Sequence, residues 1–151
     1  MQFANRQKAD LFDASQWKLG IVVAQVNAHI TKQLYDSAIL RSTEYQISPQ
    51  NIITLQVAGA VEIPLALQHL ADQGRFNALL AIGCVINGAT PHFEYVCKFV
   101  TEGILRVQLE TKLPIGFGVL TCNDERQALE RAGLGGEHLD AVLQLAKVLR
   151  P

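Results

Sequence analysis

The sequence has few of the features that stabilise small secreted domains or place a chain in a membrane. It contains three scattered cysteines among 151 residues, with no C-x-x-C pair. Such spacing is typical of buried thiols in a reducing compartment rather than of a disulfide or zinc framework. No apolar run approaches the roughly 18 residues of a membrane span, and no apolar signal segment opens the chain. We therefore expect no metal, no membrane association and a cytoplasmic location.

Charge is scarce as well, since 13 basic and 14 acidic side chains leave a net charge of −1. A balance so close to neutrality provides no electrostatic basis for binding nucleic acid or an anionic membrane. The glycine-containing pieces G-C-V-I-N-G and G-L-G-G match neither the P-loop nor the G-x-G-x-x-G pattern, which disfavours a nucleotide. The expected partners are therefore small molecules and further copies of the chain, which would cover part of its weakly charged surface.

Hydrophobic residues are abundant, at 49% of the chain. A chain of this length buries about 68–70% of its unfolded surface as one domain, so it needs no disulfide or metal for stability. Residues 1–16 show no periodicity and are expected to form an amino-terminal arm, either free or lying against a neighbour. Residues 17–151 are predicted to form a single domain.

Four apolar, strand-like segments alternate with helical patterns along this domain. The strands are predicted at residues 17–24, 52–57, 78–82 and 114–120. This alternation predicts an α/β fold with a parallel sheet covered by helices on both faces. Ligands of such sheets bind beyond the carboxyl ends of the strands. The candidate loops are therefore residues 24–27, 58–62, 84–92 and 117–123, with Asn27 as a possible cap of the first helix.

The stretch from residue 81 to 96 predicts a buried strand, a glycine-containing turn and the start of a helix. Thr90 is a favourable N-cap residue and Pro91 is favoured at the first helical position. The free N–H groups of such a helix start can hold a phosphate. His92 lies in this first turn and titrates near neutral pH as a residue type. It is a candidate for proton transfer, and the alternative is a solvated histidine at a helix start.

Other candidate residues have equally simple structural interpretations. Glu62 can be a partner of a helix dipole, and Arg131 can be a cation in the last turn of a short helix. Arginine can also bind a phosphate through two parallel hydrogen bonds, so both interpretations of Arg131 remain open. His29, His69 and His138 lack a comparable setting, and surface or helix-face positions are expected for them.

Several segments together resemble a known family. G-C-V-I-N-G-A-T-P-H-F-E-Y-V, L-P-I-G-F-G-V-L-T and Q-A-L-E-R-A-G are similar to lumazine synthases, and A-G-A-V-E-I-P-L and V-V-A-Q-V-N-A-H-I-T precede them in the family's order. The resemblance implies a flavodoxin-like three-layer α/β/α sandwich with a four-stranded parallel sheet. It also implies pentamers, or multiples of them, with active sites between neighbouring subunits.

The resemblance further implies an enzyme of riboflavin biosynthesis that needs no cofactor. The implied reaction condenses 5-amino-6-(D-ribitylamino)uracil with 3,4-dihydroxy-2-butanone 4-phosphate, giving 6,7-dimethyl-8-ribityllumazine, phosphate and water. His92 matches the proton-transfer histidine, and Asp140 matches an acid that orients the phosphate-binding arginine. The implied phosphate site consists of Arg131, Gly88, Ala89 and Thr90. The implied pyrimidine and ribityl sites consist of Val26, Asn27, Ala60, Val61, Glu62, Cys84, Val85, Ile86 and Phe117, the last from an adjacent subunit.

The chain also departs from the family pattern. Val26 and Val61 replace aromatic residues, Asn87 replaces a usual arginine, and Leu134-Gly135-Gly136-Glu137 replaces a longer loop that contains lysine. Two hypotheses follow. An active lumazine synthase is favoured by His92 together with Arg131, whereas the two valines favour a non-catalytic paralogue that binds lumazine or flavin or serves in assembly.

Overall fold

The computed structural model describes residues 9–150, so half of the predicted arm and the last residue lie outside the described part. The strands are β1 (Leu19–Ala24), β2 (Ile52–Val57), β3 (Ala78–Ile86) and β4 (Ile115–Cys122). The helices are α1 (Ala28–Glu44), α2 (Ile63–Ala71), α3 (His92–Thr111), α4 (Glu125–Arg131) and α5 (Gly135–Leu149). Two 3-10 turns, Pro49–Asn51 and Ala60–Glu62, precede β2 and α2.

The four strands form one parallel sheet in the order β2-β1-β3-β4. Helices cover both faces, because the apolar strands expose hydrophobic side chains alternately on each side. One core, which includes Leu34, Tyr45 and Leu139, lies under α1, α4 and α5. The other, which includes Leu67 and Val100, lies under α2 and α3. The predicted three-layer α/β/α sandwich is confirmed.

Two glycines allow helices of the same layer to approach closely. A Cβ atom at Gly135 would lie 1.8 Å from the carbonyl oxygen of Leu34, so α5 crosses α1 almost backbone to backbone. A Cβ atom at Gly103 would lie 2.5 Å from Cγ of Pro64, so α3 packs closely on the proline ring of α2. Any larger side chain at either position would push two helices apart.

Two strands are longer than the sequence pattern predicts. β3 continues past residue 82 to Ile86, and β4 continues past residue 120 to Cys122, where the two residues stand opposite each other. Several residues predicted to lie in loops therefore belong to strands. Glycine and polar residues near these strand ends make the sequence pattern look like a loop. The strands continue because they hydrogen-bond to each other, which neither segment shows by itself.

Residues 9–16 lie against α1 and α5 of the same chain. The N–H of Ala14 donates to the carbonyl of Tyr45 at 2.9 Å, and the side chain of Gln144 donates to the carbonyl of Asp10 at 2.7 Å. The Phe12 ring packs on the rings of Trp17 and Tyr45. This part of the expected arm thus packs on the domain of its own chain. The domain boundary at residues 16 and 17 stays a prediction.

Within residues 9–150, no helix is both long and apolar enough to cross a membrane. In the same part of the chain, no three His, Cys, Asp or Glu side chains are grouped so that they could hold a metal ion.

Candidate active site

The carboxyl ends of the four parallel strands place the predicted site loops along one edge of the sheet. β1 leads into Asn27, β2 into the 3-10 turn Ala60–Glu62, β3 into residues 87–91, and β4 into Asn123. This is the edge at which open α/β sheets bind their ligands. The candidate loops lie together, as the sequence predicts. The loop after β2 begins at residue 58 as expected, whereas the other three begin later than expected.

Asn27 has a role that differs from the predicted one. It occupies the position before α1, but its side chain makes no capping hydrogen bond. Its backbone is left-handed, with φ 58° and ψ 47°, and its Nδ2 atom donates to the carbonyl oxygen of Cys84 at 2.9 Å. Asn27 therefore joins the end of β1 to β3 rather than capping the helix.

The 3-10 turn after β2 also lies at this edge of the sheet. The N–H of Gly59 donates to Oε2 of Glu62 at 3.0 Å, so this carboxylate serves in local capping as well as facing solvent. Cγ2 of Val26 lies 3.5 Å from the position that a Cβ atom would take at Gly59. Val26 is 55% exposed and Val61 is also exposed, whereas Ala60 is buried. The two valines thus present aliphatic surface where the predicted pyrimidine pocket lies.

Cys84, Val85 and Ile86 are strand residues whose side chains alternate between the two cores. Cys84 and Ile86 pack with α1, α4 and α5, while Val85 packs with α2 and α3. Burial raises the pKa of the Cys84 thiol to about 12, with a smaller contribution from Cys122. The thiol of Cys84 is therefore inert, and this residue contributes its backbone carbonyl to the site edge.

His92 is the first residue of α3, one position earlier than the predicted first apolar residue of the helix. Its N–H donates to Oγ1 of Thr90 at 3.4 Å. The imidazole and the preceding residues Gly88, Ala89 and Thr90 are exposed. The predicted sequence of buried strand, loop and helix start is confirmed. The arrangement exposes free backbone N–H groups beside an imidazole, which can hold an anion and move a proton.

Arg131 is the last residue of α4 and is half-buried. Its Nη1 atom donates to the carbonyl of Gln127 at 2.9 Å and lies 3.6 Å from Oε2 of Glu130. Burial raises the pKa of the Cys122 thiol, and the Arg131 guanidinium partly lowers it, so the two groups are close. The carbonyl of Cys122 accepts from the N–H of Asn87 at 2.9 Å. Arg131 and the loop that leads to His92 are therefore both neighbours of the end of β4.

Asp140 has partners other than the predicted one. Its Oδ2 atom accepts from Nη1 of Arg41, and its Oδ1 atom accepts from the hydroxyl of Tyr45 at 2.7 Å. Both oxygens thus take part in the contact between α1 and α5. Support of Arg131 by Asp140 stays a prediction, and the contacts of Asp140 give it a structural role first.

Phe117 lies some distance from the carboxyl end of the sheet in its own chain. It is the third residue of β4 and stands opposite Ala81, five residues before the end of β3 at Ile86. At the rise of a β-strand, this separation is about 16 Å. The ring is 39% exposed on an edge strand of the sheet. Participation of Phe117 in a site shared with an adjacent subunit stays a prediction.

The sequence analysis did not predict two features near this edge. Nε2 of His29 lies 2.6 Å from Oε1 of Glu125, which links the first turns of α1 and α4. A groove of about 640 Å³ lies between α1, β1 and β2, and its lining includes Gln25 and Ala28, which flank Val26 and Asn27. No local sequence pattern predicts either feature, because both depend on how separate elements pack.

Comparisons with known proteins identify one family. The family described as 6,7-dimethyl-8-ribityllumazine synthase matches residues 16–150. A protein of Cutibacterium acnes with that name is 44% identical, with 89% of this chain and 79% of the relative aligned. Proteins of the same name from Corynebacterium efficiens and Saccharopolyspora erythraea are 42% and 40% identical, respectively. The first alignment covers 91% of this chain and 87% of the relative, and the second covers 99% and 93%. The chain therefore belongs to the 6,7-dimethyl-8-ribityllumazine synthase family.

Proposed function

We propose that the protein condenses 5-amino-6-(D-ribitylamino)uracil with 3,4-dihydroxy-2-butanone 4-phosphate to form 6,7-dimethyl-8-ribityllumazine, releasing phosphate and water. The observation that carries this proposal is the exposed start of α3, where His92 follows a loop with free N–H groups and Arg131 lies near the same strand end. The relatives that share the name extend over the same part of the chain. No cofactor is needed, since both substrates already carry the reacting groups.

Phosphate binding, proton transfer and pyrimidine binding are assigned to different residues. The amine of the ribitylaminouracil attacks the ketone, so the protein mainly has to hold two reactive molecules together. The N–H groups at residues 88–90 and the Arg131 guanidinium bind the phosphate, which is a charge-assisted interaction. His92 accepts and returns protons as the phosphate and water depart. The edge formed by Val26, the backbone at Asn27 and Glu62 holds the pyrimidine and its ribityl chain.

We also propose that the active assembly is a pentamer or a multiple of it. Apart from Phe117, the outer side of α3 exposes apolar residues, among them Tyr95 at 72% exposure, and Leu65 on α2 is 77% exposed. Exposed apolar area of this extent is typical of a surface that another protein covers. A cyclic assembly brings Phe117 of one copy to the site edge of the next, and each site is then completed by two subunits.

A second candidate function is supported by one observation. Val26 and Val61 leave the pyrimidine without an aromatic ring on which to stack, which lowers contact energy by about 0.5–1.5 kcal/mol. A paralogue that binds lumazine or flavin, or that only assembles, would tolerate this loss. We favour the enzyme because His92 and Arg131 are both retained beside an accessible loop.

The test is to mix the purified protein with both substrates and to record lumazine absorbance and phosphate release together. We expect both signals to rise in equal amounts and faster than in the uncatalysed mixture. Binding of lumazine without accelerated formation would support the non-catalytic paralogue. Light scattering at micromolar concentration provides the second measurement, and a monomer would contradict the shared site.

A cytoplasmic location is proposed on the basis of the thiols. Cys84, Cys97 and Cys122 are free, as expected for a reducing compartment. Fractionation of cells that express the protein with an epitope tag tests this, and recovery in a secreted or envelope fraction would contradict it.

A further inference from the structure

Asn27 has a backbone conformation that residues other than glycine seldom adopt. Its φ of 58° is left-handed, a region in which asparagine is enriched and most residues are strained. Gln46 and Lys112 also have positive φ values within residues 9–150. Both follow the end of a helix, where a left-handed residue commonly terminates it. Asn27 precedes a helix, so helix termination does not explain its conformation.

Near its carboxyl end β3 extends beyond β1, and there the side chain of Asn27 makes a hydrogen bond that no residue of β1 makes. The register of β1 with β3 ends at Val23 opposite Ile82, whereas β3 continues to Ile86. The carbonyl of Cys84 lies beyond that last partner and accepts from Nδ2 of Asn27 at 2.9 Å. Because a carbonyl can only accept, chemistry alone assigns the NH₂ group to this contact.

This hydrogen bond acts on the segment that leads to His92. From Cys84 the strand runs through two residues into the loop of residues 87–91. On the opposite side, the N–H of Asn87 donates to the carbonyl of Cys122 on β4. The approach to His92 is therefore held by β4 on one side and by the Asn27 amide on the other.

We propose that Asn27 is a positioning residue that sets the distance between the Val26 side of the site and the loop before His92. The inference rests on the proposed function, in which the pyrimidine binds on the Val26 side and the phosphate binds at the loop before His92. A condensation accelerated by proximity is sensitive to this distance, since a misplacement of about 1 Å can slow a reaction by about 100-fold. Asn27 thereby acts on turnover through the alignment of two bound substrates.

The first test compares Asn27→Gly with Lys112→Gly. Glycine adopts the left-handed conformation without strain, so Asn27→Gly removes the amide and keeps the turn. Lys112→Gly makes the same change at a left-handed position at the opposite end of α3. We expect Asn27→Gly to lower kcat by about tenfold or more, with the Kd of each separate substrate changed less than about threefold. Lys112→Gly should retain the wild-type kcat.

Two other results would overturn the proposal. If Asn27 only permits the turn, Asn27→Gly keeps the wild-type kcat. If Asn27 only contacts the ribityl chain, the Kd of the ribitylaminouracil rises while kcat stays unchanged. Asn27→Asp adds a second test, because a carboxylate has the same size but cannot donate to the Cys84 carbonyl. We expect it to be at least as slow as Asn27→Gly, and a wild-type kcat in this variant contradicts the inference.

Hydrogen exchange gives a readout that needs no activity. The amide of Asn87, which donates to the Cys122 carbonyl, should exchange about tenfold faster in Asn27→Gly than in Lys112→Gly, as expected when a neighbouring hydrogen bond is lost. Unchanged exchange there overturns the proposed coupling. If the wild-type protein makes no lumazine but its variant shows the faster exchange, the proposed function fails and the positioning role of Asn27 stands.

Discussion

Tyr45, which follows α1, and Asp140 of α5 form a part-buried polar contact. The Tyr45 side chain is fully buried, and its hydroxyl donates to Oδ1 of Asp140, whose Oδ2 atom binds Arg41. Desolvation, followed by the hydrogen bond to Asp140, raises the pKa of Tyr45 to about 12 from 10.0. The folded protein therefore keeps this proton at pH values where the unfolded chain loses it.

This shift predicts a loss of stability in alkali. A pKa that is higher in the folded state stabilises the fold fully below pH 10, and the contribution declines between pH 10 and 12. Tyr45→Phe should lower the free energy of unfolding by about 1.5–3 kcal/mol at pH 8. The difference from wild type should narrow above pH 10. Urea denaturation at fixed protein concentration measures both.

Under the proposed function, substitutions of His92 and Arg131 should change different kinetic constants. Arg131→Ala removes a charge-assisted phosphate contact and should raise the KM for the butanone phosphate. His92→Ala should mainly lower kcat, toward the lower end of the 10²–10⁴-fold range of a lost general acid–base group, because proximity alone accelerates the condensation. Steady-state kinetics measure both. His69→Ala, an exposed histidine of α2, is the matched control. A change confined to KM in His92→Ala would make His92 a binding residue.

At the scale of elements, the crossing of α1 and α5 depends on Gly135. Its Cβ position lies 1.8 Å from the Leu34 carbonyl oxygen, which belongs to the backbone and cannot rotate away. Gly135→Ala should therefore separate the helices and cost about 3 kcal/mol or more of folding free energy. Gly133→Ala is a matched control, since nothing lies within 4 Å of its Cβ position. Thermal denaturation compares the two, and equal stability would mean that α5 shifts without cost.

The strand–loop–helix segment around His92 could be predicted because its signals are local. Apolar residues, a glycine-containing loop and Thr90-Pro91 lie consecutively in the chain. The helix follows them as predicted, but it begins at His92, one residue later, with Pro91 instead of Thr90 at the N-cap. The ends of β3 and β4 could not be predicted, since Ile86 and Cys122 extend their strands by pairing with each other. The same holds for residues 9–16, whose contacts with α1 and α5 join distant parts of the chain.

At the scale of the whole molecule, the position of Phe117 predicts complementation between subunits. His92→Ala and Phe117→Ala should each be poorly active alone, because each damages every site. A 1:1 mixed assembly should recover about a quarter of wild-type activity, since a random cyclic arrangement pairs an intact His92 with a neighbour's intact Phe117 in about one site of four. Co-expression with two affinity tags isolates the mixed assembly.

The control for this experiment is each variant carrying both tags and purified in the same way. Absence of recovery in the mixed assembly would mean that Phe117 and His92 act within one chain. Full activity of Phe117→Ala alone would remove Phe117 from the site.

The sequence by itself determined the parallel α/β architecture and the helix start at His92, because both follow from hydrophobic periodicity and turn residues that act over a few positions. The tertiary structure alone decided the partners of the polar side chains. Asn27 contacts Cys84 across 57 residues, and Asp140 contacts Tyr45 and Arg41 across 95 and 99. A residue type limits which hydrogen bonds are possible, but the packing of distant elements selects which of them form. For that reason Asn27 links two strands instead of capping a helix.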